Sequence, residues 1–110
     1  MLISPRAGNT LSVEEFHNYY EQMVREEMGR QLGDRQLDAD TLADIACVAL
    51  NHLPPRYIRY DVDMAFYLSP KEREEMELKV TNAVRDGASF VLERERAHSA
   101  ENHTEHGAER

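Results

Sequence analysis

Apolar residues recur along the chain at helical spacing in three blocks separated by polar or proline-marked breaks. In the first block, Val13, Phe16, Tyr20, Met23, Val24 and Met28 fall on one helical face, which predicts a helix over 12–31. Ser12 and Glu15 have the three-residue offset of a capping box and mark its start. Gly29 and Gly33 weaken its end, and the polar run 33–36 predicts a connection, with Leu37 as an apolar anchor. The second block, Ile45, Ala46, Ala49, Leu50 and Leu53, predicts a helix over 41–53 capped by Asp38 or, more directly before the stripe, Asp40. Ala43, Ala46 and Ala49 permit a close helix neighbour. Pro54 and Pro55 stop the pattern, because proline has no N–H and forbids the helical conformation to the residue before it.

The third block opens on Ser69, Pro70 and Glu72, each a residue type suited to the unpaired N–H groups of a first helical turn. Met76, Val80, Ala83, Val84, Gly87, Phe90 and Val91 then form the core face of a long helix over 69–96. Gly87 lies on that face and marks a close approach. Between the second and third blocks, 58–68 alternates only in part and predicts an extended connection, or a helical turn around 63–67, since no second strand offers itself as a partner. The pattern as a whole predicts an all-α domain over 12–96, a loose lead over 1–11 and a disordered polar tail over 97–110. Helices this long and this apolar on one side call for a partner of similar length, and a homodimer is expected.

Composition narrows the function classes. A chain of 110 residues holds one domain, and 41% hydrophobic with 31% charged residues fits a soluble helical protein. No apolar run reaches the roughly 20 residues that span a bilayer, and the opening residues lack the pattern of an export signal, so the cytoplasm is the expected location. The single Cys47 excludes an intramolecular disulfide and a multi-cysteine zinc site, and its apolar neighbours predict a buried, inert thiol. A formal net charge of −8 works against long nucleic acid while leaving room for a small anion held by local arginines. His98, His103 and His106 in the tail suggest metal, but ordering such a tail costs entropy, so no metal site and no cofactor are expected.

No residues form a catalytic constellation. Neither His17 nor His52 has a serine or cysteine nearby in sequence to activate, and the acidic pairs 14–15, 26–27 and 74–75 are sequence neighbours that point apart on a helix. The chemistry concentrates in Pro54-Pro55-Arg56-Tyr57-Ile58-Arg59-Tyr60. Arginine forks suit phosphate, tyrosine faces suit bases, and the prolines restrict the segment before anything binds. The same residues admit a structural role, with Tyr57 and Ile58 covering the core and Arg56 capping carbonyls or pairing with Asp61 or Asp63.

The run Ala49-Leu50-Asn51-His52-Leu53-Pro54-Pro55-Arg56-Tyr57, following Asp44-Ile45-Ala46, resembles the late-competence ComFB family of small bacterial proteins. The resemblance is strongest over 42–60, runs more loosely from Val62 through about Leu92, and takes in His17-Asn18-Tyr19-Tyr20-Glu21. It implies a helical dimer and a non-catalytic receptor for a cyclic dinucleotide, cyclic di-GMP foremost, that signals to a downstream protein; the alternative is a dimeric interaction module without a ligand. Arg56 and Arg59 are then the phosphate partners, Tyr57 or Tyr60 the stacking ring, and Asn51 and His52 further polar contacts. His17, Tyr20 and Glu21 are the next place to look for a site.

Overall fold

The computed structural model describes residues 10–108, with side chains described over 10–101. Its elements in chain order are β1 (His17–Asn18), α1 (Tyr19–Leu32), α2 (Ala39–Asn51), β2 (Tyr57–Ile58), α3 (Val62–Tyr67) and α4 (Pro70–Ala108). The architecture is helical, as the periodicity predicts, with one minimal antiparallel pair that joins His17 to Ile58 and Asn18 to Tyr57. The early lead over 1–9 lies outside the described residues.

The long helix α4 carries the packing. Its capping box forms as read: the N–H of Glu72 donates to Ser69 Oγ at 3.1 Å, and the N–H of Ser69 donates to Glu72 Oε1 at 3.0 Å. Met76, Val80, Ala83 and Val84 pack with Tyr20 and Val24 of α1, Ala49 of α2, Leu53 and Met64. A second cluster joins Leu32, Ile45, Ala88 and Val91. A Cβ on Gly87 would lie 3.3 Å from both the Ala49 nitrogen and the Ile45 oxygen, so the expected close approach is between α4 and the backbone of α2. Polar bonds join the helices beside these clusters. Gln31 Nε2 donates to Glu27 Oε2 at 2.7 Å and to the Thr81 carbonyl at 3.0 Å, and Thr41 Oγ1 donates to Glu95 Oε2 at 2.7 Å.

Several expectations are corrected. The first helix begins at Tyr19 with Asn18 as its cap, leaving Val13 and Phe16 66% and 56% exposed instead of in the core. Asn18 prevails over Ser12 because its side chain serves two N–H groups, those of Tyr20 and Arg56, one of them far along the chain. Asp38, not Asp40, caps α2: the N–H of Thr41 donates to its carboxylate at 2.8 Å, which holds the Asp38 carboxyl below its usual range. Over 58–68 the helical turn expected around 63–67 forms as α3, Val62–Tyr67, while the expectation that no strand partner exists is corrected, since His17–Asn18 pairs with Tyr57–Ile58.

Phe90 and Cys47 are exposed, because α2 and α4 turn Ile45, Ala49 and Val91 toward each other and leave these two outside the contact. Past Arg96, where the polar tail was expected to be disordered, α4 continues to Ala108. The run from Glu93 through His106 contains neither glycine nor proline, so a helix already nucleated by packing meets no breaker there.

Candidate functional site

The Pro54–Tyr60 segment is fixed from below by a few main-chain bonds. The N–H of Tyr19 donates to the Arg56 carbonyl at 2.7 Å, and the N–H of Arg56 donates to Asn18 Oδ1 at 2.9 Å. The start of α1 and the arginine turn are thus one unit. Asn18 is the positioning residue that the sequence reading missed. The signal was present, since Asn18 and Glu21 repeat the offset of Ser12 and Glu15, and asparagine is among the best cap residues.

Above this anchor the side chains stay in solvent. Arg56, Tyr57, Arg59 and Tyr60 are all exposed, while Ile58 is half-buried and packs on the core. Tyr57 therefore does not cover the core. Its ring stands edge-on to Phe16 at 6.1 Å between centroids. Arg59 pairs with Glu14, donates to the Tyr60 hydroxyl at 3.2 Å and lies over the Tyr60 ring at 5.1 Å. Asp61 pairs with His17, whose Nε2 is 2.7 Å from Asp61 Oδ1, tying β1 to the start of α3.

Arg56 faces the other way. It borders a hollow of about 200 Å3 with Tyr20, Glu72, Glu75 and Lys79. Burial raises the Tyr20 hydroxyl pKa, and the Arg56 charge opposes that rise. Bonds from Ser69 hold the Glu72 carboxyl below its usual range, and Arg56 adds to the same effect. Next to this hollow, sharing Pro54 and Lys79 with it, lies a larger groove of about 890 Å3 between the end of α2 and the middle of α4. Asn51 and His52 line the groove from α2, facing Lys79, Asn82, Asp86 and Phe90 of α4. His52 Nδ1 is 2.7 Å from the Val48 carbonyl, which orients the ring at the helix end.

The residues singled out in the sequence therefore divide into two groups. Asn51, His52 and Arg56 border the two adjoining hollows, whereas Tyr57, Arg59 and Tyr60 line neither: Tyr57 meets Phe16, Arg59 meets Glu14, and Tyr60 meets Arg59. Lys79, Asn82 and Asp86 were not anticipated. On a helix of this composition polar residues read as a solvated face, and only the approach of α2 makes them groove walls. His17, Tyr20 and Glu21 do not act together: His17 is held by Asp61, Tyr20 is buried beside Arg56, and Glu21 is exposed on the first turn of α1. Among the described residues no group of three or more His, Cys, Asp or Glu is placed to hold a metal ion, and no helix is long and apolar enough to cross a membrane. The side chains of His103 and His106 lie outside the described residues.

The sequence model of the family described as late competence development protein ComFB matches residues 17–95. The match takes in β1, the arginine turn and the α4 wall of the groove together. No curated protein matches the chain.

Proposed function

The chain belongs to the ComFB family, and from that premise we propose that it is a non-catalytic receptor for a cyclic dinucleotide, cyclic di-GMP foremost. It works in the cytoplasm as a homodimer and relays ligand binding to a protein partner. The observation that carries this reading is the placement of Arg56. Its backbone is fixed by Asn18 and Tyr19, and its side chain borders the same hollow as Lys79, beside a groove large enough for a nucleotide half. An arginine on a prefixed backbone with a neighbouring ammonium suits a phosphate, because only its side chain has to be ordered on binding.

Magnitudes favour two copies of the site. Two charge-assisted phosphate bonds at about 2 kcal/mol each and two base stacks at about 2 kcal/mol each reach roughly the 8 kcal/mol of micromolar affinity before association costs are met. A two-fold dimer offers two such turns to a two-fold ligand. Tyr57 or Tyr60 and Arg59, released from Glu14, lie off both hollows, so in the dimer they meet the base and the second phosphate of the nucleotide half held by the other copy. Asn51 and His52 supply polar contacts from the groove.

Thermal melting with and without cyclic dinucleotides tests the reading, because a ligand bound only by the folded state raises the transition by mass action. Calorimetry on Arg56→Ala should then show a loss of about 1.5–3 kcal/mol in binding and a weaker salt dependence. Unchanged affinity with a sharply lower melting temperature would make Arg56 a structural residue and end its role in binding. The second reading, a dimeric interaction module without a ligand, draws on Phe66 and Tyr67, which are 80% and 73% exposed. It predicts a dimer by light scattering and no melting response to any nucleotide.

A further inference from the structure

The groove beside the arginine turn has a chemical direction. Lys79, Asn82, Asp86 and Phe90 all line it, spaced three or four residues apart along one ridge of α4. From Lys79 to Phe90 that ridge is roughly 16 Å long at the rise of an α-helix. At one end Lys79 adjoins the hollow of Arg56, where the two cations stand beside Glu75 and beside Glu72, whose carboxylate accepts from the Ser69 N–H. At the other end stand the carboxylate of Asp86 and the ring of Phe90, which is 51% exposed. A nucleotide whose phosphate takes the N–H donors of Lys79 and Arg56 lays its flat hydrogen-bonding base toward Asp86 and Phe90.

Resting on the receptor reading above, we propose that this ridge reads the base of each bound nucleotide half and that Asp86 makes the site selective for guanine over adenine. Guanine carries two donors side by side, the ring N1–H and the exocyclic N2 amine, and an ionised carboxylate accepts both with its two oxygens. Adenine places a lone pair at N1, so the carboxylate meets an acceptor and loses its hydration without return. Asn82 supplies an amide donor for the guanine O6, and Phe90 supplies the stacking face.

Asp86 is available for this work. Among the described residues its carboxylate meets only an exposed approach of Arg85 Nε to Oδ1 at 3.3 Å, a class of pair that contributes little. Two helical turns separate Asp86 from Lys79, about 10 Å, so its charge is screened from a phosphate held at the Lys79 end.

The test is calorimetry of the full chain and of Asp86→Asn with cyclic di-GMP and cyclic di-AMP, alongside Arg56→Ala. The wild type is expected to prefer cyclic di-GMP at least tenfold. Asp86→Asn should lose at least tenfold in cyclic di-GMP affinity while cyclic di-AMP binding holds or tightens, and Arg56→Ala should weaken both nucleotides alike. Undiminished cyclic di-GMP binding by Asp86→Asn, or a wild-type preference for cyclic di-AMP, overturns the assignment of Asp86 and leaves the receptor reading standing. Binding of neither nucleotide by the wild type overturns both.

Discussion

The packed half of the molecule and the 54–67 segment are built on opposite terms. Between α1, α2 and α4, side chains such as Val24, Ile45 and Val84 are fully buried, and the close approach at Gly87 leaves no slack between two helices. Along 54–67 the main chain is held by bonds to Asn18 and Tyr19, while Tyr57, Tyr60, Phe66 and Tyr67 remain more than half exposed. One half buries its apolar residues, and the other turns Met64 and Ile58 toward the core while keeping its tyrosines and Phe66 at the surface. A turn made this way would lose little order on meeting the proposed ligand, because its anchor belongs to the core.

The sharpest way to break this contrast is to damage the core. Ile45→Ala should cost about 2–5 kcal/mol in denaturant unfolding, since it removes a wholly buried side chain from the α2–α4 contact. A loss comparable to that of a surface change would mean that the packed half is looser than its geometry implies. Gly87→Val should cost about 1–3 kcal/mol, because the new side chain meets backbone atoms of α2 that cannot swing aside. Here the informative contrast is with Gly29, whose added Cβ would meet nothing within 4 Å and whose replacement by alanine should stabilise the helix.

The joint between the halves lies at Asn18. Asn18→Ala should lower stability by about 1–2 kcal/mol through loss of the cap, and it should also weaken nucleotide binding, because the Arg56 N–H loses its acceptor. A stability loss without any binding loss would separate the turn from its anchor. Smaller effects should appear in acid. Asp38 and Glu72 have carboxyls held below their ordinary range by N–H donors at helix starts, so their folded-state pKa values lie beneath the unfolded ones. Their stabilising contribution is present above the ordinary carboxylate range and is lost as pH falls through the folded values. Asp38→Asn combined with Glu72→Gln should therefore flatten the acid side of a stability-against-pH curve.

The smallest expected change belongs to the exposed face. Phe66→Ser should alter the stability of the isolated chain by no more than about 0.5 kcal/mol, since the ring is 80% exposed. Melting at several protein concentrations sharpens the point. A cost that grows with concentration would show that a second copy covers this face.

Local pattern alone determined much of this protein. The apolar stripes from Tyr20 onward, the stop at Pro54-Pro55 and the Ser69-Pro70-Glu72 start are short-range features, fixed by helical period and by the needs of unpaired N–H groups, and all lie within the span of the ComFB family match. Tertiary structure decided what local pattern left equal. Two capping boxes competed to open the first helix, and Asn18 prevails because its side chain also accepts from Arg56, 38 residues away. The strand pair at 57–58 existed only once 17–18 came alongside it. Cys47 and Phe90 turned outward because the direction of the neighbouring helix, not the apolar character of a residue, selects the covered face. By the same reasoning, Lys79, Asn82 and Asp86 became the wall of a groove only when the end of α2 closed over them.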